Sequence, residues 1–357
     1  MLSNNKHHKP AMKKYPKTTV LVIVLALLLA WTYSWTFTEH GRLDYRAALS
    51  LRLLSFTYDF QPDPDSDFRI PLPVNLIYSL SNLLPEEQVS KVRDVVMPGE
   101  EADVQARVYW PRGRHDNQPL PVIVYYHGGG FVVGSVDIFD PLTRALANAA
   151  KAIVISVEYR LAPISPWPAA VNDAYTALLW AEENALSLGG DPRKLVVAGD
   201  SAGGNLAAVT ALKARDEGGP ALAAQILYYP ATDLTATDYP SIDKYSEGYG
   251  LSTGAREGFH RAYVPDVPNL RDAYISPLYA PDLRGLPPAL ILTAGFDPLT
   301  GAAQAYTARL REAGVAVTEQ NYADTIHGFM SVALFPQRRS GLQATAVFLQ
   351  QHLSGIR

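Results

Sequence analysis

Short apolar runs alternate with helical stretches along most of this chain, and the spacing of the apolar positions tells the two apart. Pro121 to Tyr126 is unbroken, Val-Ile-Val-Tyr-Tyr after the proline, as a strand buried on both faces should be. Ala152 to Val157, Leu195 to Ala198, Gln225 to Tyr229 and Ala289 to Ala294 read the same way, and Val315 to Tyr322 is the last strand. Val104 to Trp110 alternates apolar with polar residues, the pattern of a half-exposed strand. Between these runs the period changes. Ala169 to Leu188 places Val171, Ala174, Leu178 and Ala181 on one helical face, and Thr300 to Ala313 carries Ala303, Tyr306 and Leu310 in register with Leu299. Asp140 to Ala150 and Leu342 to Leu353 are further helices. Strand and helix in alternation predict an α/β fold, a mostly parallel sheet covered by helices on both faces. No internal repeat is visible.

One interval breaks the alternation. Ala231 to Ala273 is rich in Asp, Tyr, Pro and Gly and is too long for a bare loop. It reads as a cap inserted over the strand ends. Its aromatics, Tyr239, Tyr245, Tyr249, Phe259 and Tyr263, either line an apolar pocket or form the cap's own core.

The N-terminal part has a different texture. Residues 1–17 form a basic tail with Lys6, Lys9, Lys13, Lys14 and Lys17. Thr18 to Phe37 carry no charge, Val20 to Ala30 are continuously apolar, and Trp31, Tyr33, Trp35 and Phe37 close the stretch. Twenty uncharged residues are enough for a transmembrane helix with an aromatic interface. The expectation over 18–37 is a single-pass membrane anchor, with the N-terminus cytoplasmic and the bulk of the chain on the exported side, in periplasm or lumen. A cleaved signal peptide competes, but the best cleavage site, Thr32-Tyr33-Ser34, is poor. A core helix is the third reading. Residues 38–90 follow as a linker with cap helices: an amphipathic helix within 41–60 (Leu43, Ala47, Leu51, Leu54), a Pro- and Asp-rich loop from Gln61 to Pro73, and a short helix from Val74 to Leu84. The α/β domain spans 91–357, with the cap insertion at about 231–273.

Composition narrows the chemistry. With 357 residues and 48% hydrophobic content, a large core is available. A net charge of −4 argues against a nucleic-acid partner. The absence of cysteine removes disulfides, thiolate metal sites and cysteine nucleophiles together. No metal-ligand spacing of the H-E-x-x-H kind occurs, so no catalytic metal is expected.

Three stretches carry candidate chemistry. After the Leu195–Ala198 strand comes Gly199-Asp200-Ser201-Ala202-Gly203, and a helix follows. A serine on a sharp strand-to-helix turn has its hydroxyl pushed outward, and the Ala202 N–H at the helix start is aimed where an oxyanion forms. His127-Gly128-Gly129-Gly130-Phe131 leaves the Pro121–Tyr126 strand directly; its glycines let backbone N–H groups turn toward a ligand. His127 and Gly128 are read as support for that loop, His127 through a hydrogen bond rather than as a base. A serine also needs a base and an orienting acid. Of the histidines after Ser201, His260 lies in the cap and His352 on the last helix, whereas His327 follows the last strand. Asp297 follows the Ala289–Ala294 strand and completes the order Ser201, Asp297, His327. Asp324, on the same loop as His327, is the rival acid.

With these residues in hand, the chain from about residue 90 onward resembles the hormone-sensitive-lipase-like family of α/β-hydrolases, the bacterial family IV esterases. The resemblance rests on HGGGF at His127–Phe131, EYRLAP at Glu158–Pro163, GDSAGG at Gly199–Gly204, DPL at Asp297–Leu299 and HGF at His327–Phe329. It implies a carboxylesterase acting on short- to medium-chain acyl esters, without a cofactor. The oxyanion donors are then Gly129, Gly130 and Ala202, and Tyr159-Arg160 ties the sheet beside the site. A cap formed from the N-terminal helices and the insertion is also implied. The chain departs from the family at Ile164, where Glu is usual, and at Thr300-Gly301-Ala302, where acidic residues are usual. Hydrolysis of acetylated amides or sugars, and ligand binding without catalysis, are the alternative functions.

Overall fold

The computed structural model describes residues 17–55, 87–113, 118–235 and 238–356. The tail over 1–16, the Gln61–Pro73 loop and the Val74–Leu84 helix read from the sequence lie outside them.

Eight strands form one sheet: β3 (Lys91–Met97), β4 (Val104–Trp110), β5 (Leu120–Tyr126), β6 (Ile153–Glu158), β7 (Gly190–Asp200), β8 (Leu222–Tyr228), β9 (Ala289–Phe296) and β10 (Val317–Ile326). Their order is β10-β9-β8-β7-β5-β6-β4-β3. The six strands β5 to β10 are mutually parallel, and β3 and β4 add an antiparallel edge. Alternation along the central strands feeds two separate cores. Val122, Val124 and Tyr126 of β5 face one side, and Ile123 and Tyr125 the other; on β7, Leu195 and Val197 oppose Val196 and Ala198 in the same way. One core is closed by α4 (Ala169–Leu188), α5 (Ala202–Asp216) and α8 (Thr300–Glu312), and the other by α3 (Val136–Ala150) and α9 (Pro336–Leu353).

The edge strand β3 has no counterpart in the sequence reading. Lys91, Val92, Arg93 and Asp94 are all exposed, so no buried face marks the segment as a strand. Helix α3 starts at Val136, four residues earlier than the pattern indicates, because Ser135 caps it. The Ser135 Oγ accepts the Ile138 N–H at 3.2 Å, and Glu158 accepts the Val136 N–H at 2.7 Å.

The N-terminal segment folds differently from a twenty-residue span. Helix α1 covers Lys17–Ser34, and a turn at Trp35-Thr36 leads into a small hairpin of β1 (Phe37–Thr38) and β2 (Gly41–Arg42). Eighteen residues rise about 27 Å, short of a hydrocarbon core of about 30 Å. Among the described residues no helix is long and apolar enough to cross a membrane. The amphipathic helix read within 41–60 is α2 (Tyr45–Ser55). Leu43, Ala47 and Ala48 are buried in the same core as α3 and α9, and Leu51 packs against it.

The insertion contains two helices, α6 (Pro240–Tyr245) and α7 (Thr253–Tyr263). Its five aromatics divide. The Tyr239 hydroxyl donates to Asp233 at 2.8 Å, Tyr245 and Tyr249 pack on Phe296, and Tyr263 stacks on Phe131 with centroids 3.8 Å apart. Only Phe259 among these five lines the pocket described next.

Candidate active site

All the candidate groups come from loops at the carboxyl ends of parallel strands, where ligands gather in open α/β sheets. Ser201 follows β7, His127 follows β5, Asp297 follows β9 and His327 follows β10.

Ser201 lies at φ 54° and ψ −117°, a region a non-glycine residue enters only under constraint, at a cost of about 1–3 kcal/mol. The constraint is visible on both sides. The Ser201 N–H donates to Tyr228 O at 2.9 Å, and Ser201 O accepts from Ala231 N–H at 3.1 Å. The close passage of α5 over β5 requires glycine at 203, where a Cβ would stand 2.0 Å from Tyr126 O. Asn205 secures the other end of the turn by donating to Ala231 O and Ile275 O at 2.7 and 2.8 Å.

The His327 Nε2 is 2.9 Å from Ser201 Oγ, and its Nδ1 is 2.8 Å from Asp297 Oδ2. Asp297 is fully buried, and its other oxygen accepts the Leu299 N–H at 2.9 Å. The imidazole lies edge-on to Tyr229, with centroids 4.9 Å apart. Asp324, the rival acid, is engaged elsewhere: its Oδ1 accepts from Gln337 Nε2 at 3.0 Å and its carbonyl from the Asp44 N–H. The structure thus brings Ser201, His327 and Asp297 into one chain of hydrogen bonds and leaves Asp324 out of it.

Gly129 and Gly130 have φ of +124° and +62°, and their N–H groups, like that of Ala202, have no hydrogen-bond partner among the described residues. All three residues line the pocket at Ser201. The loop is held from beneath. The His127 ring is fully buried between Tyr159 and Phe139, and its Nδ1–H donates to Gly128 O at 2.8 Å. Burial drives its pKa down to about 4, so it carries no charge at neutral pH. His260 lines the pocket wall, and His352 packs on Phe348 of the last helix.

The EYRLAP stretch fastens the same loop. The Tyr159 hydroxyl donates to His127 O at 2.8 Å, and the Ala162 N–H to Phe131 O at 2.9 Å. Arg160 grips buried Asp173 through its guanidinium and its backbone N–H. Ile164, one of the departures from the family pattern, is 94% exposed and touches none of this. At the other departure, the Gly301 N–H donates to Ser241 Oγ, which in turn donates to Pro298 O. That join fastens α6 of the cap to the loop bearing Asp297.

Two residues without an assigned role in the sequence reading emerge here. Asp200 is buried directly before the nucleophile candidate. Its Oδ1 accepts the Gly128 N–H at 2.8 Å and the Tyr125 hydroxyl at 2.6 Å, so one carboxylate joins the glycine loop to the serine turn. Burial pushes its pKa up to about 6 against these bonds. The motif GDSAGG contained that signal, because an acid beside a buried strand end needs donors. The second is Arg256, on α7 of the cap. No periodicity marks it, because the insertion has none.

The cavity over Ser201 is about 200 Å³, with Gly128 to Phe131, Phe139, Leu251, Phe259 and Leu299 among its walls. It offers a mostly apolar slot lined by a serine, an imidazole and three residues whose N–H groups have no partner among the described residues. Such an arrangement can add a hydroxyl to an acyl carbonyl and hold the oxyanion that results.

Comparisons with known proteins show the same fold and a set of esterase relatives. The family model for the alpha/beta hydrolase fold matches residues 123–331. The chain is 45% identical over 255 residues to the carboxylesterase NlhH of Mycobacterium tuberculosis, covering 71% of this chain and 78% of that protein. It is 36% identical over 252 residues to an arylesterase of Saccharolobus solfataricus, covering 70% and 81%. Among solved structures, a hyperthermophilic esterase from the archaeon Pyrobaculum calidifontis superposes with a TM-score of 0.73 at 41% identity, over 78% of this chain and 89% of that one. A thermostable esterase from Pseudomonas putida ECU1011 gives 0.78 at 30% identity, over 87% and 98%.

Proposed function

Because this chain belongs to the hormone-sensitive-lipase-like α/β-hydrolases, we propose that it is a serine carboxylesterase of short- to medium-chain acyl esters, with Ser201, His327 and Asp297 as its triad. The observation that carries the reading is the unbroken run of hydrogen bonds from Asp297 through His327 to Ser201, opening on the pocket. His327 takes the Ser201 proton through Nε2 while Asp297 holds the Nδ1–H. Ser201 Oγ attacks the ester carbonyl. The N–H groups of Gly129, Gly130 and Ala202 stabilise the oxyanion, each such donor being worth about 2.7–4 kcal/mol in the transition state. His327 returns the proton to the departing alcohol, and a water repeats the sequence on the acyl-enzyme. The names of the relatives, a carboxylesterase and an arylesterase, support the reaction class.

The small cavity supports the chain-length limit. In a p-nitrophenyl ester series from acetate to laurate, kcat/KM is expected to peak at short chains and fall sharply above about eight carbons, as an acyl tail outgrows the buried apolar slot. Laurate turned over as fast as butyrate would overturn that limit.

The chain is further proposed to be membrane-attached through α1. Support comes from the exposure of Leu21 to Leu25, Leu27 to Leu29 and Trp31 on every face of the helix, 46–65% each. Arg42 stacks over Tyr33 and Phe37 beneath it, an arrangement suited to a headgroup layer. After carbonate washing, the full-length protein is expected in the membrane pellet. Recovery in the supernatant without detergent would rule the attachment out.

A further inference from the structure

Helix α7 forms part of the pocket wall, and Ala255, Arg256, Phe259 and His260 all border the cavity, at the three- and four-residue spacings of one helical face. Arg256 is out of keeping with its surroundings. No carboxylate lies within 4.0 Å of its guanidinium among the described residues. Its Nε is buried without an acceptor, and its best contact is Nη2 to Ser246 Oγ at 3.4 Å. Other arginines of this fold are well held: Arg160 by Asp173, and Arg309 by the carbonyls of Leu278 and Ala280.

The nearby acids do not supply the missing partner. Asp297 is committed to His327, and Asp233 to Thr235, Tyr239 and Tyr279. Glu247 and Glu257 act on Arg256 only through space, and burial lowers its pKa from the ordinary arginine value. His260, one turn along, is pushed down to about 4 by burial and by Arg256 itself, so it adds no second charge. Asp200, the other carboxylate on the wall, is committed to the Gly128 N–H and the Tyr125 hydroxyl, so the pocket that holds Ser201 is bordered by one arginine whose charge no lining acid answers. A half-buried guanidinium whose Nε lacks an acceptor is costly, and arginine is the side chain best shaped to take a carboxylate through two parallel hydrogen bonds.

We propose that Arg256 is a specificity-determining residue that recognises a free carboxylate on the ester substrate, so that the preferred substrates are anionic esters, such as monoesters of short dicarboxylic acids. The proposal rests on the carboxylesterase reading and narrows its substrate class. The scissile carbonyl lies against Ser201 and the glycine loop while the distal carboxylate pairs with Arg256, replacing the water both charges give up.

The test uses the full chain in detergent and a pH-stat. Monoethyl glutarate is compared with ethyl valerate, and butyryloxyacetate with ethyl butyrate, which separates an acyl-side carboxylate from an alcohol-side one. In at least one pair the anionic ester is expected to have the higher kcat/KM. Arg256→Met is expected to lower that anionic-to-neutral ratio about 30-fold or more, chiefly through KM, with Arg256→Lys recovering part of it. Labelling by a fluorophosphonate reports whether each variant keeps a folded site; if the Met variant does not label, the Lys variant decides by the same ratio. Ratios that stay within about threefold of wild type in the labelled variants would overturn the proposal. Neutral esters turned over with no anionic preference would also overturn it and leave the esterase reading standing. Failure on every ester would sink the esterase reading itself.

Discussion

Ser201→Ala is expected to lower kcat on p-nitrophenyl butyrate by about 10⁶-fold, to the background left by oxyanion stabilisation and binding alone. The substitution removes only Oγ. The turn that presents it is held by backbone bonds from Ser201 to Tyr228 and Ala231 and by the closeness of Gly203 to Tyr126, none of which needs the hydroxyl. Ala at φ 54° is strained no more than Ser is, so folding stability should change little. The same variant should fail to react with a fluorophosphonate that labels the wild type once. A variant within tenfold of wild type would mean that some other group attacks the ester.

Asp297→Asn should cost about 10⁴-fold in kcat with little change in KM. The two Asp297 oxygens have separate duties: one receives the Leu299 N–H and the other the Nδ1–H of His327. In the amide, the backbone bond keeps the carbonyl oxygen, so the NH2 group faces Nδ1. The imidazole must then accept at Nδ1 and carry its proton on Nε2, where it no longer accepts from Ser201. Geometry survives and the tautomer is wrong. Asp324→Asn is the matched control; its carboxylate accepts from Gln337 rather than from the base, so activity should stay within a few-fold. A kcat loss smaller than tenfold for Asp297→Asn would remove that residue from the triad.

How much of this was legible depended on burial. Parallel strands covered on both faces leave unbroken apolar runs, so β5, β6, β8 and β9 could be read with errors of a few residues at their ends. Strand β3 escaped notice because it is an edge strand with charges along its outer positions. Ser201, Asp297 and His327 were accessible because each follows a readable strand, and the topology gathers those ends within four neighbouring strands. The cap resisted reading for the opposite reason. Its residues have neither period, and whether an aromatic faces the pocket or packs on Phe296 or Phe131 depends on tertiary placement. Arg256 belongs with these, since a lone arginine in an irregular insertion looks like any solvated charge until its surroundings are seen. The N-terminal helix shows a different limit: hydropathy alone runs on to Phe37, whereas the helix stops at Ser34, where Trp35 and Thr36 turn back on Thr32 and Tyr33.

The segment just past that turn is part of the enzyme. Leu43, Ala47 and Ala48 are core residues, the Asp44 N–H donates to Asp324 O, and Arg46 reaches Leu334 O at 2.8 Å. Asp324 and Leu334 lie on either side of the loop that bears His327. Anyone trimming this protein for crystals or for secretion should therefore place the cut before Leu43. A cut at the first strand of the large sheet would strip a flank from the loop that bears His327.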